Sequence, residues 1–352
     1  MDTGSSLAKA RIPRKRRKMQ RVTMMDVAKL AQVSPSTVSL YLRKPDAVSA
    51  AAGQEIARAI DALGYVPNLV AGGLAAASSR VVSIIVPSVR NAFFAETVST
   101  LQAELSAEGL QVLLGHTEYS DNQEEALVRT ALSWAPAAIV LTGLTHSRGT
   151  RELLKASRIP VVEMWEIGGE PIDMAVGFSH PQAGASAARH LASKGRQKLA
   201  FLGARMQEDR RAAQRAHGFQ EASRAGGITT CEIINHPGAA SVEAGALLLN
   251  RALQQVPQLD AIACSNDLIA LGVLFECQRR GIAIPENIAV IGFGDLDFSS
   301  SCVPSLTTIR PSGDLIGKEV ARLILDSIQD NPPEGGRRIV DTSHVLIERR
   351  ST

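Results

Sequence analysis

Short apolar runs rich in β-branched residues alternate with helical stretches from residue 80 to residue 352. The first three runs are Val81–Val86, Gln111–Leu114 and Ala138–Leu141. Strands that are apolar on both faces and alternate with helices are typical of parallel sheets covered by helices on both sides. Because about 270 residues are too many for one such unit of ordinary size, we expect an α/β body of two subdomains. The other predicted strands are Val161–Met164, Lys198–Leu202, Ala261–Ser265 and Ile288–Ile291, and the predicted helices are Ala95–Glu108, Gln123–Ser133, Pro181–Lys194, Arg211–Ala225, Val242–Gln255 and Leu268–Arg280.

Residues 1–79 carry a strong excess of positive charge. They contain twelve Lys and Arg but only five Asp and Glu, whereas the whole chain has a net charge of +3. The rest of the chain is therefore mildly acidic. A basic head on an acidic body is typical of proteins that bind nucleic acids, although a basic tail that only aids solubility would give the same asymmetry.

Residues 1–20 are predicted to form a disordered basic arm. Seven of the eleven residues from Arg11 to Arg21 are Lys or Arg, and such a run repels itself. An arm of this kind can lie along phosphate groups and add salt-sensitive affinity for DNA. A nuclear-localisation signal and a passive tail are the alternatives that this composition leaves open.

Residues 21–66 show the start and stop signals of short helices. Thr23 and Asp26 form a start that resembles a capping box, and Ser34 with Pro35 marks the start of the next helix. Two short helices joined by a tight turn form a helix-turn-helix, whose second helix enters the major groove of DNA. Any small three-helix bundle would show the same pattern. The predicted helices run from Thr23 to about Leu30, from Pro35 to about Leu42 and from Ser49 to Gly64.

The head resembles the DNA-binding headpiece of the lactose-repressor (LacI/GalR) family of bacterial regulators. The resemblance lies in the runs VTMMDVAKLAQVSPSTVSLYL and VSAAAGQEIARAIDALGYVPNLVAGGLAA, and it continues from about Val22 to the end of the chain. It implies an all-α helix-turn-helix domain in 21–66, a hinge helix in 67–79, and an effector-binding and dimerisation domain in 80–352 made of two periplasmic-binding-protein-like lobes. It further implies a homodimer that represses transcription from a pseudo-palindromic double-stranded DNA operator.

The resemblance assigns DNA contacts to the second helix. The base-reading positions of the family fall on Pro35, Ser36 and Leu40, and the last of these is often Arg in the family. Leucine forms no bidentate contact with guanine but can pack on a thymine methyl group, so the half-site should differ from that of relatives with Arg. The full set of predicted headpiece contacts is Thr23, Ser34, Pro35, Ser36, Thr37, Ser39, Leu40 and Arg43.

Residues 67–79 match the hinge helix of the family. There, paired hinges enter the minor groove, and a leucine, here Leu74, unstacks a base step and bends the duplex. Gly72 and Gly73 each cost about 0.8–1.0 kcal/mol in a helix interior relative to Ala, which indicates a hinge that orders only on the operator. A plain flexible linker is the alternative. The predicted hinge contacts are Asn68, Ala71 and Leu74.

Residues beyond the carboxyl ends of the predicted strands are candidate effector contacts, because ligands of open parallel sheets bind there. Each alone is more often a loop or cap residue. The resemblance singles out Asn266, which matches a sugar-contacting position, and Arg215, which matches a basic ligand contact. Gly294 stands where sugar binders of the family usually carry Asp, so an acidic ligand would meet no like charge there. The predicted set is Ser88, Asn91, Phe93, His116, Glu163, Trp165, Ser179, Arg215, Asn266, Gly294 and Asp295.

Four segments resemble the gluconate-repressor branch of the family in particular: VVEMWE, IDMAVGFSH, AFLGAR and FECQRRG. This resemblance implies gluconate as the effector, or a related acid such as 2-ketogluconate or a phosphogluconate. A neutral sugar is the alternative. The branch implies an inducer, whereas the residues themselves do not decide between inducer and corepressor.

The sequence lacks the signatures of the common enzyme classes. Gly292-Phe293-Gly294 has no third glycine for a dinucleotide-binding loop, and no P-loop, GxSxG or HExxH motif occurs. The four cysteines lack metal spacing, so we expect neither metal nor cofactor. Since no apolar stretch reaches the roughly 18 residues of a membrane span and the N-terminus lacks the apolar segment of a secretory signal, we expect no membrane partner and a cytoplasmic, nucleoid-associated protein. A sugar-acid-handling enzyme and a binding protein are distant alternatives, and neither would need the basic head.

Overall fold

The chain divides into two units, Met1–Ala75 and Ala76–Thr352. The computed structural model describes residues 22–66, 79–89, 93–329 and 339–352. The predicted arm 1–20 and the predicted hinge contacts Asn68, Ala71 and Leu74 lie outside these ranges. In the first unit the described residues form α1 (Met24–Leu30), α2 (Pro35–Arg43), a 3₁₀ turn (Pro45–Ala47) and α3 (Ala50–Leu63).

Local capping sets the ends of the helices in the first unit. The Thr23 hydroxyl accepts a hydrogen bond from the Asp26 N–H, and the Asp26 carboxylate accepts one from the Thr23 N–H at 2.8 Å. Ser34 caps α2 by accepting from the Thr37 N–H at 3.1 Å, and Gly64 ends α3 with a φ of 59°. The predicted helix boundaries are confirmed, with α2 one residue longer than expected. The buried side chains that hold the three helices together are Val27, Ala28, Ala31, Val38, Ile56 and Ala59.

Helices and strands alternate through the second unit, as the apolar pattern predicts. The strands are β1 (Val81–Val86), β2 (Gln111–His116), β3 (Ala138–Thr142), β4 (Val161–Met164), β5 (Met174–Gly177), β6 (Lys198–Ala204), β7 (Thr230–His236), β8 (Ala261–Cys264), β9 (Ala289–Phe293), β10 (Thr307–Pro311), β11 (Ile339–Asp341) and β12 (His344–Ile347). The helices are α4 (Phe93–Ala107), α5 (Asp121–Leu132), α6 (Arg148–Ser157), α7 (His180–Ser193), α8 (Arg210–Ala225), α9 (Val242–Gln255), α10 (Asp267–Arg280) and α11 (Gly313–Ile328), with a 3₁₀ turn at Asp297–Ser300.

Two six-stranded sheets organise these elements into two lobes. The strand order is β11-β5-β4-β3-β1-β2 in the sheet of lobe 1 and β12-β10-β9-β8-β6-β7 in the sheet of lobe 2. Neighbouring strands are parallel except for β10 and β12, which are antiparallel. The chain passes between the lobes from β5 to α7, from β10 to α11, which packs on α4, and from β11 to β12. The predicted pair of parallel α/β subdomains is therefore confirmed.

The interior strands are buried, whereas β2 and β7 form corresponding edges of the two sheets, with β2 mostly exposed and β7 mostly partly exposed. β7 has the sequence TCEIINH, and its polar residues interrupt the continuous apolar run that marks the interior strands. The apolar pattern therefore predicts β1 and β4 to the residue but does not predict β7. Among the described helices, none is long and apolar enough to cross a membrane.

Two glycines let α7 and α8 approach closely in lobe 2. A Cβ atom on Gly184 would overlap the carbonyl oxygen of Arg215, and one on Gly218 would overlap the carbonyl oxygen of Pro181. Each glycine therefore faces the backbone of the other helix. This contact places Arg215 of α8 beside the first turn of α7.

Replacing Gly218 by Ala should lower the free energy of unfolding by about 1–3 kcal/mol. The overlap with Pro181 costs more than the roughly 1 kcal/mol that Ala gains over Gly in a helix interior. Urea denaturation measures the difference. Gly226→Ala is the control, because Gly226 ends the same helix with a φ of −81° and a Cβ there would lie 3.3 Å from the nearest atom. A Gly218→Ala variant as stable as the parent would contradict the close packing of α7 on α8.

Candidate functional site

The predicted DNA contacts of the headpiece lie on or beside the exposed surface of α2. Ser34 and Ser36 are exposed at its N-terminus, and their hydroxyl oxygens lie 2.6 Å apart. Hydroxyls and backbone N–H groups at a helix N-terminus are suited to binding phosphate oxygens. Thr23 is also exposed, but its hydroxyl donates to the Asp26 carboxylate at 2.7 Å. Among the other predicted contacts, Pro35 and Arg43 are exposed, and Thr37, Ser39 and Leu40 are partly exposed.

A cavity of about 370 Å³ lies between the two lobes. Lobe 1 lines it with Ser88, Glu118 and Tyr119, which follow β1 and β2, and lobe 2 lines it from beyond β6, β7 and β8. This is the edge where ligands of parallel sheets bind, and the volume lies in the range of small-molecule sites. Of the predicted effector contacts, Ser88 and Asn266 line the cavity. The residues from lobe 2 are Ala204, Arg205, Asp209, Ala239, Ala240, Ser241, Val242, Asn266 and Leu268.

Three helices of lobe 2 begin at this cavity. Asp209, Ser241 and Asn266 are the N-caps of α8, α9 and α10, and all three line it. Each side chain accepts a hydrogen bond from the backbone N–H three residues further on, at 3.0–3.2 Å. Helix N-termini carry partial positive charge, so this wall favours an anionic group, although the Asp209 carboxylate opposes that effect at α8.

Arg215 is a buried cation, only 5% exposed, and it does not itself line the cavity, although Ser265, which it bonds, directly precedes Asn266 of the cavity wall. Its guanidinium bonds His180 Nδ1 at 2.9 Å and the Ser265 carbonyl oxygen at 2.9 Å, and its central carbon lies 3.9 Å from the ring centre of Phe293. Burial lowers the pKa of Arg215 to about 10, which still leaves it charged at neutral pH. Among the described residues, its Nε has no hydrogen-bond partner and no carboxylate forms an ion pair with it.

The start of α8 is bonded across the cleft to lobe 1. Gln214 donates to the Glu166 carboxylate at 2.7 Å, and Arg211 donates to the Thr142 carbonyl oxygen at 3.3 Å. These bonds connect the two lobes independently of the chain crossovers. Two more exposed ion pairs also span the cleft, Arg210 with Asp121 at 3.2 Å and Arg205 with Glu118 at 3.7 Å.

Two predicted effector contacts, Trp165 and Ser179, lie near the crossover from β5 to α7 and do not line the 370 Å³ cavity. Trp165 is buried with a φ of 70°, and its ring meets those of Phe94 and Phe178 edge-on at 5.1 and 6.0 Å between centroids. Ser179 caps α7 by accepting from the Gln182 N–H at 3.3 Å. The structure thus gives both residues contacts that organise the crossover.

Glu163 is fully buried inside lobe 1, in contact with His146. One carboxylate oxygen lies 3.1 Å from His146 Nε2, and the other accepts from the Ile172 N–H. His146 Nδ1 lies 2.8 Å from the Glu124 carboxylate. Burial lowers the pKa of His146, but the bonds to Glu124 and Glu163 outweigh it and raise that pKa to about 9. Both oxygens of Glu163 are therefore engaged internally, and the prediction that it contacts an effector gains no support from this geometry.

Asp295 and Gly294 follow β9, as predicted. The Asp295 carboxylate is paired with Arg349 at 2.7 Å and with Arg310. Gly294 has a φ of 127°, a conformation that residues with a Cβ rarely adopt. Glycine at this position therefore has a backbone reason, and it also leaves the position without a carboxylate.

Of the remaining predicted contacts, His116 does not line the cavity. The His116 ring is half exposed and lies 3.4 Å from the Glu118 carboxylate. Asn91 and the side chain of Phe93 lie outside the described residues.

Sequence reasoning missed five polar residues that line the cavity: Glu118, Tyr119, Arg205, Asp209 and Ser241. Arg205 was missed because β6 runs to Ala204, two residues beyond its predicted end. Ser241 was missed because β7, which leads towards it, was not predicted. With correct strand ends, the same rule about carboxyl ends would have found both.

Comparisons with known proteins agree with this architecture. Residues 23–68 match the family described as bacterial regulatory proteins, lacI family, and residues 188–352 match the periplasmic binding protein-like domain. The HTH-type transcriptional regulator GntR of Pseudomonas aeruginosa is 38% identical to this chain over 94% of it and 96% of its own length. The HTH-type transcriptional regulator IdnR of Escherichia coli is 33% identical over 88% of this chain and 93% of its own length.

A solved structure shows the same arrangement. The transcriptional regulator of the LacI family from Silicibacter pomeroyi superposes with a TM-score of 0.88 at 32% sequence identity, covering 94% of this chain and 99% of its own. The similarity therefore spans the helical head and both lobes.

Replacing His146 by Gln should remove a stabilisation that depends on pH. The pKa of His146 is raised from 6.5 to about 9 in the folded chain, so its charge stabilises the fold fully below pH 6.5, and this contribution is lost as the pH rises through 9. The parent should exceed the variant by up to about 3 kcal/mol in free energy of unfolding at about pH 6, and this difference should shrink towards about pH 10. Urea denaturation across this range measures it, with the exposed His217→Gln as the control. A difference that does not change with pH would contradict a charged His146.

Proposed function

This chain belongs to the LacI family of bacterial regulatory proteins and is a DNA-binding transcriptional regulator, and from that premise we propose that its operator affinity is controlled by a sugar acid. The acid, gluconate or a close relative, binds in the cleft between the lobes and acts as an inducer. The observation that carries this proposal is the buried guanidinium of Arg215, with which no described carboxylate forms an ion pair.

The unpaired N–H donor of Arg215 favours a carboxylate ligand. A buried charge is unfavourable unless it is paired, and a guanidinium pairs best with a carboxylate through two parallel hydrogen bonds. Nε is the donor without a partner, so a ligand carboxylate would take Nε together with one of the two N–H groups that now bond His180 and Ser265. The N-termini of α9 and α10 add partial positive charge on the same wall.

The rest of the cavity suits a chain of hydroxyl groups. Ser88 and Tyr119 offer hydroxyls, and Glu118 and Asp209 offer carboxylate oxygens that accept hydrogen bonds from sugar hydroxyls. The same two carboxylates oppose a dianionic phosphate ester, so an unphosphorylated acid is favoured over a phosphogluconate. The resemblance to the gluconate-repressor branch points to the same class of ligand.

A regulator with one helix-turn-helix per chain reads a pseudo-palindrome as a symmetric pair. We infer a homodimer that forms through the edge of lobe 1. The edge strand β2 exposes Leu113 and Leu114, and an apolar groove of about 290 Å³ beside it is lined by Val89, Phe94 and Val98. A second copy of the same face would cover this apolar edge. Such a dimer would act on the chromosome, in the cytoplasm.

The effector assignment is tested by thermal unfolding with gluconate, 2-ketogluconate, 6-phosphogluconate and glucose. A ligand at about 100 times its dissociation constant adds roughly 2.7 kcal/mol to the free energy of unfolding, which raises the melting temperature measurably. Gluconate or 2-ketogluconate should raise the melting temperature and should release the protein from its operator. Arg215→Met should lower the affinity for the acid about 10-fold or more, because a hydrogen bond to a charged group contributes about 1.5–3 kcal/mol.

The matched control is Arg196→Met. Arg196 also bonds a backbone carbonyl, that of Pro285, but it precedes β6 at the end of the sheet away from the cleft. This variant should bind the acid as the parent does. A parent that responds only to glucose, or an Arg215→Met variant with full acid affinity, would overturn the assignment.

Replacing Leu114 by Lys should weaken the dimer. A charge in an apolar interface is unfavourable, so sedimentation equilibrium should show the dissociation constant of the dimer raised about 10-fold or more. Operator affinity should fall with it, because each monomer binds only one half-site. Val303→Lys is the control, since Val303 is 82% exposed and lies in lobe 2. An unchanged dimer in Leu114→Lys would show that another face is used.

A further inference from the structure

His180 joins the proposed effector contact to the opposite lobe. Its ring lies at the first position of α7, just after the chain crosses from lobe 1 to lobe 2, and it is only 1% exposed. Nδ1 lies 2.9 Å from Arg215 Nη1, and Nε2 lies 2.8 Å from the carbonyl oxygen of Trp165. Arg215 belongs to lobe 2, whereas Trp165 directly follows β4 of lobe 1.

Chemistry fixes the direction of both hydrogen bonds. A guanidinium only donates, so Nδ1 of His180 must accept, and the single ring proton must sit on Nε2, where it donates to the Trp165 carbonyl. Burial and the charge of Arg215 lower the pKa of His180 well below its usual value, so the ring stays neutral. The bond from Arg215 therefore selects the tautomer that holds lobe 1.

Trp165 is firmly placed within lobe 1. Its backbone N–H donates to the Val176 carbonyl of β5 at 2.8 Å, and its indole ring packs against Phe94 at the start of α4. Through Trp165, the His180 ring is thus connected to the carboxyl ends of β4 and β5. Phe178 packs on the His180 ring with centroids 4.5 Å apart, so the ring has little room to move without its neighbours.

We propose that His180 is the positioning residue that transmits effector binding at Arg215 to lobe 1, without touching the effector itself. A ligand carboxylate that takes Nη1 of Arg215 removes the donor from His180 Nδ1. A buried acceptor without a donor is unfavourable, so the ring shifts to a new arrangement and its bond to Trp165 changes. This inference rests on the acid-binding role proposed for Arg215.

The test separates coupling from binding. Operator affinity is measured by fluorescence anisotropy without and with saturating gluconate, and gluconate affinity is measured by calorimetry without and with operator DNA. In the parent, the two ratios should be equal, about 5–150-fold, because coupling is reciprocal. In His180→Phe, which keeps an aromatic ring but neither hydrogen bond, both ratios should fall to within about twofold of one. Gluconate affinity in the absence of DNA should change much less.

His190→Phe is the matched control. His190 lies at the other end of the same helix, is also buried, and bonds the Thr352 hydroxyl at 2.8 Å within lobe 2. It should lose stability but keep the coupling ratios of the parent. His180→Gln, whose side-chain amide can both accept and donate, should retain part of the coupling, and it carries the test if His180→Phe does not fold.

The outcomes are distinct. A folded His180 variant that keeps the coupling of the parent overturns this inference and leaves the proposed function standing. A loss of gluconate affinity and of stability, with the ratios unchanged, shows a purely structural role and overturns it as well. A parent that binds none of the acids overturns the proposed effector and, with it, the role of His180.

Discussion

The guanidinium of Arg215 connects separate helices and strands of lobe 2. It bonds the carbonyl of Ser265 just after β8 and the ring of His180 at the start of α7, and its central carbon lies 3.9 Å from the ring centre of Phe293 in β9. This position exists only because Gly184 and Gly218 let α7 and α8 touch through their backbones. The guanidinium forms no ion pair with a described carboxylate, and Ser265, which it bonds, directly precedes Asn266 of the cavity wall.

The cleft is held closed by contacts of unequal strength. The ion pairs of Arg210 with Asp121 and of Arg205 with Glu118 are about a third to a half exposed, and pairs of this kind contribute about 0–1 kcal/mol each. The bond from Gln214 to Glu166 is better shielded. Because these contacts contribute so little free energy, a ligand that forms a few hydrogen bonds in the cleft can change how the lobes are arranged. A sensor requires this property.

The helical head was predictable because its signals are local. The capping contacts of Thr23 and Ser34 join residues three positions apart, so the sequence displays both partners side by side. Interior strands such as β1 and β4 were predictable because burial on both faces demands a continuous apolar run. β7 was not predictable, because an edge strand carries polar residues. Ser241, which follows β7, was therefore not predicted as a site residue.

Long-range partnerships explain the other differences. Glu163 looks like a ligand contact from its place in β4, but its partner His146 lies 17 residues away in a loop that no local rule connects to it. Asp295 likewise follows a strand end, yet its charge is taken by Arg310 and Arg349. The sequence shows where a carboxylate falls along a strand, whereas its neutralising partner depends on tertiary packing.

The placement of the groups also constrains how a signal can travel. Arg215, Ser241 and Asn266 all belong to lobe 2, whereas the helical head precedes β1, which belongs to lobe 1. A change at Arg215 must therefore pass from lobe 2 into lobe 1 to affect DNA binding. The routes are the three crossovers and the bonds across the cleft, and the exposed ion pairs among those bonds are too weak to fix a geometry. A buried imidazole that bonds lobe 2 through one nitrogen and lobe 1 through the other is the contact at a crossover that can register a change at Arg215 directly.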